Sequence, residues 1–208
     1  MKLISDFSEI YDNFFTNYGK PFYRMTNRGL CKRDQLKFLE NLGLQVPEHG
    51  LVKDLLTTVS LVVVYLDEKK HCGEGKIIAN YDDLKKYSDF YCSKYIGSWN
   101  SNLIFGNGHS LRLLNIGTRQ FLIEYYSTVD WRSNYGDGTI ECIGETQKWL
   151  NLQDKINRGL WAIDFVICPY TKKWIAIDYN ESPGIKGING LTDYISHMQI
   201  SKEIENYE

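Results

Sequence analysis

Residues 161–188 read WAIDFVICPYTKKWIAIDYNESPGIKGI, and this stretch decides the fold. Segments 162–168 and 173–179 are rich in Ile, Val, Trp and Phe, and Pro169, Tyr170, Thr171 and Lys172 supply turn chemistry between them. The pattern predicts two strands joined as a hairpin. Side chains alternate along a strand, which puts Asp178 and Asn180 on one face at the strand's end. Pairing across the turn brings Asp164 near them. Two carboxylates and an amide oxygen make a hard-oxygen set suited to Mg2+. An Asp at a strand end is more often a turn former than a ligand, so the set needs support from the rest of the chain. Asn180-Glu181-Ser182-Pro183-Gly184 then ends the strand sharply, where a ligand can approach backbone.

The segment resembles the closing hairpin of ATP-grasp ligases and is most similar to RimK-type glutamate ligases and glutathione synthetases. Their pattern is an Asp on one strand and Glu-x-Asn-x-x-Pro-Gly on the next. Asp164, Asp178, Asn180 and Ser182-Pro183-Gly184 match it, with Asp178 where the family usually has Glu. The resemblance implies that Asp164, Asp178 and Asn180 hold Mg2+. The shorter Asp keeps the charge and points to one bound metal ion in place of two.

The 208 residues suffice for one domain or two small lobes with a real core. A hydrophobic share of 43% and a charged share of 24% are those of an ordinary soluble globular chain. The net charge of −2 gives no footprint for nucleic acid or an anionic membrane. The longest apolar run, over 59–66, is too short to span a bilayer, and the early Asp and Glu leave no apolar signal core. Cys31, Cys72, Cys92, Cys142 and Cys168 are odd in number and lack C-x-x-C spacing, so they read as reduced thiols of a cytoplasmic protein.

Along the chain, Phe7, Ile10, Tyr11, Phe14 and Phe15 recur at helical spacing, and Lys20, Arg24 and Arg28 follow. Segment 32–43, KRDQLKFLENLG, predicts a helix with Leu36, Leu39 and Leu42 as its apolar stripe and Gly43 as its stop. The β-branched run over 59–66 predicts a buried strand. Gly73-Glu74-Gly75-Lys76 leads into a further strand over 77–79, and its glycines let backbone N–H groups close over phosphate. A short helix over 82–87, a strand over 90–96 and a Gly/Asn/Ser-rich loop over 97–109 come next. Segments 111–116 and 119–126 form a hairpin that leads into Arg132-Ser133-Asn134. A helix over 144–152 turns Trp149 and Leu152 inward. A terminal helix over 191–200 turns Tyr194, Ile195 and Met198 to the sheet, and a polar tail frays after it.

The resemblance extends over about Leu30 to Ile200 and implies an α+β fold: an ATP-grasp core whose two lobes, each with an antiparallel sheet, sandwich the nucleotide. The divisions expected are an N-terminal extension (1–30), a small nucleotide-covering lobe (31–92) and a large lobe with the metal site (93–208). Lys32 matches the lysine that contacts nucleotide phosphate, and Gly73, Gly75 and Lys76 match the flap over the triphosphate. The family's strand lysine is replaced by Tyr65 or Leu66, with Lys69, Lys70 and Lys76 as alternatives. Lys94 and Tyr95 fall in the lobe connection whose backbone reads adenine, and Ser110 stands in place of the ribose acid. Arg132-Ser133-Asn134 matches a RimK-type motif that neutralises and hydrogen-bonds the transferring phosphoryl and the acylphosphate. Arg112 is either a second anion ligand or a salt-bridge residue.

By the chemistry this implies, ATP phosphorylates a carboxylate and an amine captures the acylphosphate, forming an amide or peptide bond on a small-molecule or peptide substrate. The alternative is a degenerate, non-catalytic scaffold that binds nucleotide or a partner. A kinase that stops at phosphoryl transfer shares every site residue. The family carries a further N-terminal domain that helps build the acceptor site. A dimer partner, a second protein or a macromolecular substrate is therefore expected to complete that site here.

Overall fold

The computed structural model describes residues 30–55, 61–70, 74–80, 82–97, 108–134, 138–181, 183–185 and 187–207. The helix expected over 7–15, the basic residues Lys20, Arg24 and Arg28, most of the 97–109 loop, Gly73 and Ser182 lie outside them.

Helix α1 (Lys32–Asn41) buries Leu36 and Leu39 completely, and Gly43, at φ +83°, stops it as expected. Four antiparallel strands follow: β1 (His49–Leu51), β2 (Leu61–Tyr65), β3 (Lys76–Asn80) and β4 (Tyr91–Lys94), in the order β1-β4-β2-β3. Helix α2 (Val52–Leu55) and a 3-10 turn (Leu84–Tyr87) cover one face, where Val52, Val62, Val64, Leu84 and Cys92 form a core.

The second antiparallel sheet contains β5 (Gly108–Ile116), β6 (Arg119–Ser127), β7 (Thr139–Glu145), β8 (Leu160–Ile167) and β9 (Trp174–Asn180), in the order β7-β6-β5-β8-β9. Its two faces bury different partners. Leu113, Trp161 and Ile163 pack with α1 and with α3 (Leu150–Ile156), and the same cluster takes in Tyr65 and Tyr91 of the first sheet. On the other face Leu114, Ile123 and Ala162 pack with Ile195, Ile200 and Ile204 of the C-terminal segment. The two sheets with few helices make an α+β fold, as the sequence predicts. The outer edge of β9 is partly covered, since the Ala176 N–H donates to the Gln45 carbonyl at 2.8 Å.

Several expectations are corrected. Residues 144–145 end a strand, and the helix begins at Leu150. The C-terminal segment is two helices, α4 (Leu191–Tyr194) and α5 (His197–Tyr207), because Ile195 is extended at φ −146°. The polar tail is helical through Tyr207. Ile195 and Ile200 are buried, but Tyr194 and Met198 face solvent. The break rotates the second helix, so one continuous periodicity misplaces them. Cys31, Cys92, Cys142 and Cys168 are free thiols. No helix among the described residues is long and apolar enough to cross a membrane.

Gly117, at φ +59°, turns the β5–β6 hairpin under α5, where a Cβ would lie 2.6 Å from the Glu203 Cβ and carbonyl oxygen. Thr118 Oγ1 donates to Glu203 Oε2 at 3.1 Å. Gly117→Ala is expected to cost about 1–3 kcal/mol, read as a lower urea midpoint at unchanged slope. An unchanged midpoint would show that α5 is not seated on this turn.

Candidate active site

The register sets the chemistry. Asp164 on β8 lies opposite Arg112 on β5 and opposite Asp178 on β9, so a charged row crosses three strands on one face of the sheet. A bulge follows: Phe165 pairs with Ala176, and the register skips Ile177.

Each carboxylate has its own cation. Arg112 Nε and Nη2 donate to the two oxygens of Asp164 at 2.7 and 3.0 Å, and its Nη1 donates to the Tyr125 hydroxyl at 2.7 Å. These ion-paired side chains are only 12% and 13% exposed. Lys32, 4% exposed, reaches in from α1; its Nζ donates to Asp178 Oδ1 at 2.6 Å, Gln35 Oε1 at 2.9 Å and the freed Ile177 carbonyl at 3.2 Å. Of the two roles open for Arg112, the structure shows the salt bridge. Burial works against charge on Arg112, but the Asp164 carboxylate holds its pKa above the ordinary arginine value. Burial likewise favours a neutral Asp178, yet Lys32 and Lys76 hold its pKa below the usual carboxylate range.

Lys76 is the third cation. It stands opposite Tyr65 in the β2–β3 ladder and lines the cleft between the two sheets. Burial lowers its pKa, and neighbouring Lys32 lowers it further. The Tyr65 ring is near both ammonium groups, its centroid 5.8 Å from Lys32 Nζ and 5.9 Å from Lys76 Nζ. Its hydroxyl is hydrogen-bonded to Ser93 at 2.8 Å. Of the three lysines left open by the sequence, Lys76 alone lines this cleft; Lys69 is exposed, and Lys70 pairs with Glu74 at the surface.

Arg132, Ser133 and Asn134 line the same cleft. Arg132 is gripped by Asp130: its backbone N–H and Nε donate to Oδ1, and Nη2 donates to Oδ2, all at 2.8 Å. Ser133 Oγ and Ser110 Oγ are 2.5 Å apart. The loop lies flat on Gly108, where a Cβ would overlap the backbone of Trp131, Arg132 and Ser133. Val63, Val166 and Ile177 give the cleft an apolar wall, with Tyr95 edge-on to Trp131 at 6.2 Å.

Lys94 and Tyr95 line the cleft, whereas Gly75 closes the β2–β3 turn away from its wall. Lys32 does not itself line the cleft but touches three residues that do, Asp178, Ile177 and Tyr65. Asn180 lies two residues beyond Asp178 on the same strand face, outside the cleft lining, and its amide nitrogen is buried without a hydrogen-bond partner. Rotating the amide exchanges its nitrogen and oxygen, so this position can present an oxygen. Among the described residues no three His, Cys, Asp or Glu side chains cluster. The set is two carboxylates and an amide, a donor chemistry that fits a hard divalent cation. Sequence reasoning gave no role to Asp130, Tyr65 or Tyr125. Asp130, two residues before Arg132, is the only one of these with a local signal.

No protein-family model matches the chain, and no curated protein does. Solved structures do. The ATP-grasp ligase PsnB complexed with its minimal precursor shares 13% identity at a TM-score of 0.61, covering 86% of this chain and 61% of that one. The Chryseobacterium gregarium RiPP-associated ATP-grasp ligase, in complex with ADP and a leader and core peptide, shares 17% at 0.57, covering 96% and 67%. The Bacillus anthracis D-alanine–D-alanine ligase complexed with ATP shares 14% at 0.51, covering 85% and 65%. Another PsnB complex holds Mg and ADP. The chain thus spans 61% to 67% of the length of these three proteins. The likeness is one of fold: this is the ATP-grasp fold.

The site carries a pH signature. A hydrogen bond from Arg132 lowers the Asp130 pKa, and that of Asp178 is lowered as described. Acids depressed in the folded state bind protons more readily when unfolded. Their stabilisation is full above about pH 4 and is lost as pH falls through the folded pKa values. Denaturant titrations should therefore show stability falling below that pH, with a shallower fall in Asp130→Asn. Identical acid profiles for the two proteins would overturn the Asp130–Arg132 assignment.

Proposed function

We propose that this chain, built on the ATP-grasp fold, is an ATP-dependent ligase that joins a carboxylate to an amine through an acylphosphate, with a peptide as one substrate. The observation that carries this reading is the Arg112–Asp164–Asp178–Lys32 row, with the Arg132-Ser133-Asn134 loop lining the same cleft.

The base would lie against Val63, Val166 and Ile177, with the backbone of 94–96 at its edge, and the first sheet, which ends with β4 at Lys94, would cover the nucleotide on the second. The phosphates extend towards Lys76, Arg112 and Lys32. Asp164, Asp178 and Asn180 would hold Mg2+, which would supply positive charge against the phosphates. Arg132, held in place by Asp130, presents its guanidinium to the acylphosphate, and Asn134 donates a hydrogen bond there. Phosphorylation turns a poor leaving group into a good one, so the amine attacks without an enzyme nucleophile. The protein contributes positioning and charge.

The peptide assignment is supported by the precursor peptides held by PsnB and the Chryseobacterium gregarium ligase. Three features favour the non-catalytic alternative: Tyr65 where the family carries a strand lysine, Lys94 where it has Glu, and Ser110 in place of the ribose acid. Lys76, directly across the ladder, answers the first by bringing an ammonium to the same ring.

Calorimetric titration of ATP with and without Mg2+ tests the reading. Metal-dependent micromolar binding, weakened about tenfold in Arg132→Ala, is expected. ADP release with peptide and amine present should then vanish in Asp178→Asn. Absence of binding at millimolar ATP would overturn the ligase in favour of the non-catalytic alternative.

A further inference from the structure

In this structure the two carboxylates assigned to the metal are already neutralised by the chain's own cations. Both oxygens of Asp164 accept from Arg112, and Asp178 accepts from Lys32. Lys32 and Arg112 balance Asp178 and Asp164 one for one, and Lys76 stands in the same cleft as a third basic side chain. A divalent cation arriving alone meets carboxylates already in use. A triphosphate arriving alone finds two of the three cations tied to carboxylates.

We propose that Arg112–Asp164 and Lys32–Asp178 form an ion-pair exchange: metal binding takes over the two carboxylates and releases Arg112 and Lys32 to the phosphates, so that metal and nucleotide each bind strongly only in the presence of the other. This rests on the ligase reading of the cleft but adds a property that the reading does not require. A cleft with separate, unpaired metal ligands and phosphate cations would bind metal-free nucleotide well.

The geometry allows the exchange. Lys32 keeps Gln35 and the Ile177 carbonyl as partners when Asp178 leaves it, so its ammonium is not stranded. Arg112 keeps the Tyr125 hydroxyl, which anchors one end of the guanidinium while the other turns. The bulge at Ile177 supplies the spare carbonyl, and a regular ladder would hold it in strand pairing. Because binding free energies are linked, the factor by which metal strengthens nucleotide binding equals the factor by which nucleotide strengthens metal binding.

The test separates the exchange from simple loss of a ligand. ATP is titrated in EDTA into the wild type and Asp178→Asn, then again with Mg2+. Removing the carboxylate frees Lys32, so metal-free ATP should bind about tenfold tighter to the variant, whereas Mg2+-ATP should bind more weakly. A mere ligand whose loss only removes repulsion predicts that the first change persists in a Lys32→Met background, whereas the exchange predicts that it disappears there. In the reciprocal experiment Mn2+ alone is titrated into Lys32→Met. Freeing Asp178 should tighten Mn2+ binding about tenfold over the wild type. Circular dichroism of both variants establishes folding, and if one fails to fold the other decides.

Metal-free ATP binding no tighter in Asp178→Asn, or Mn2+ binding no tighter in Lys32→Met, would overturn the exchange. If wild-type Mg2+-ATP binding persisted in that case, the ligase reading would stand. Wild-type protein that binds ATP under neither condition would overturn both.

Discussion

Two carboxylates side by side in a buried register constrain everything around them. Directly opposed residues of an antiparallel pair are about 5 Å apart, and at an effective dielectric near 20 two such charges repel by ~3 kcal/mol. Asp164 and Asp178 are tolerated because a cation flanks each. That requirement dictates topology: β5, which carries Arg112, must lie beside β8, and α1 must pack on β9 to deliver Lys32. Lys32 opens α1, where the helix dipole disfavours a cation by about 0.3–1 kcal/mol. The Asp178 contact at 2.6 Å offsets this, and Asp34 in the first turn helps. The shared core of α1, β2, β4 and the large sheet is the apolar counterpart of the same arrangement, so the charged row and the hydrophobic layer hold each other in register.

The opposite side of the cleft is held by backbone closeness. Gly108 lets the Trp131–Ser133 backbone lie directly on the start of β5, and Gly138 brings its Cα against the Tyr126 carbonyl. Asp130 then fixes both the amide and the guanidinium of Arg132. A long side chain anchored at both its backbone and its head loses little further freedom when it meets an anion. The two walls differ in kind: the sheet wall has cations and carboxylates in balance, and the loop wall has one pre-oriented guanidinium.

What the sequence disclosed follows from how local each signal is. Alternation along 173–179 put Asp178 and Asn180 on one face, and the turn at Pro169 brought Asp164 alongside, since both depend on neighbours in the chain. The α1 stripe and the β5–β6 hairpin were legible for the same reason. The ion pairs were not. Lys32 and Asp178 are 146 positions apart and Arg112 and Asp164 are 52 apart, and no spacing rule links them. Short β1 and edge strand β7 were missed because neither has an apolar run. β7, TIECIGE, alternates exposed residues with buried or half-buried ones and has no continuous apolar run. The break at Ile195 escaped because an apolar residue that ends one helix can also continue the stripe of the next.

The hardest position to read was the strand lysine, and its solution is a matter of reach. Neighbouring strands are about 4.8 Å apart, while an extended lysine places its ammonium ~6 Å from its Cα. A cation needed at a fixed point above a sheet can therefore be supplied from either of two adjacent strands if the register is right. Here it is right: Lys76 is the ladder partner of Tyr65, and both project to the cleft. The exchange has a physical cost and a physical return. Lys76 sits on an edge strand, where backbone is more mobile than in a central strand. The aromatic ring left in the central position gives both ammonium groups a π contact. A motif search that looks along one strand finds the lysine missing. A reading that follows the ladder finds an ammonium group one strand over, on Lys76.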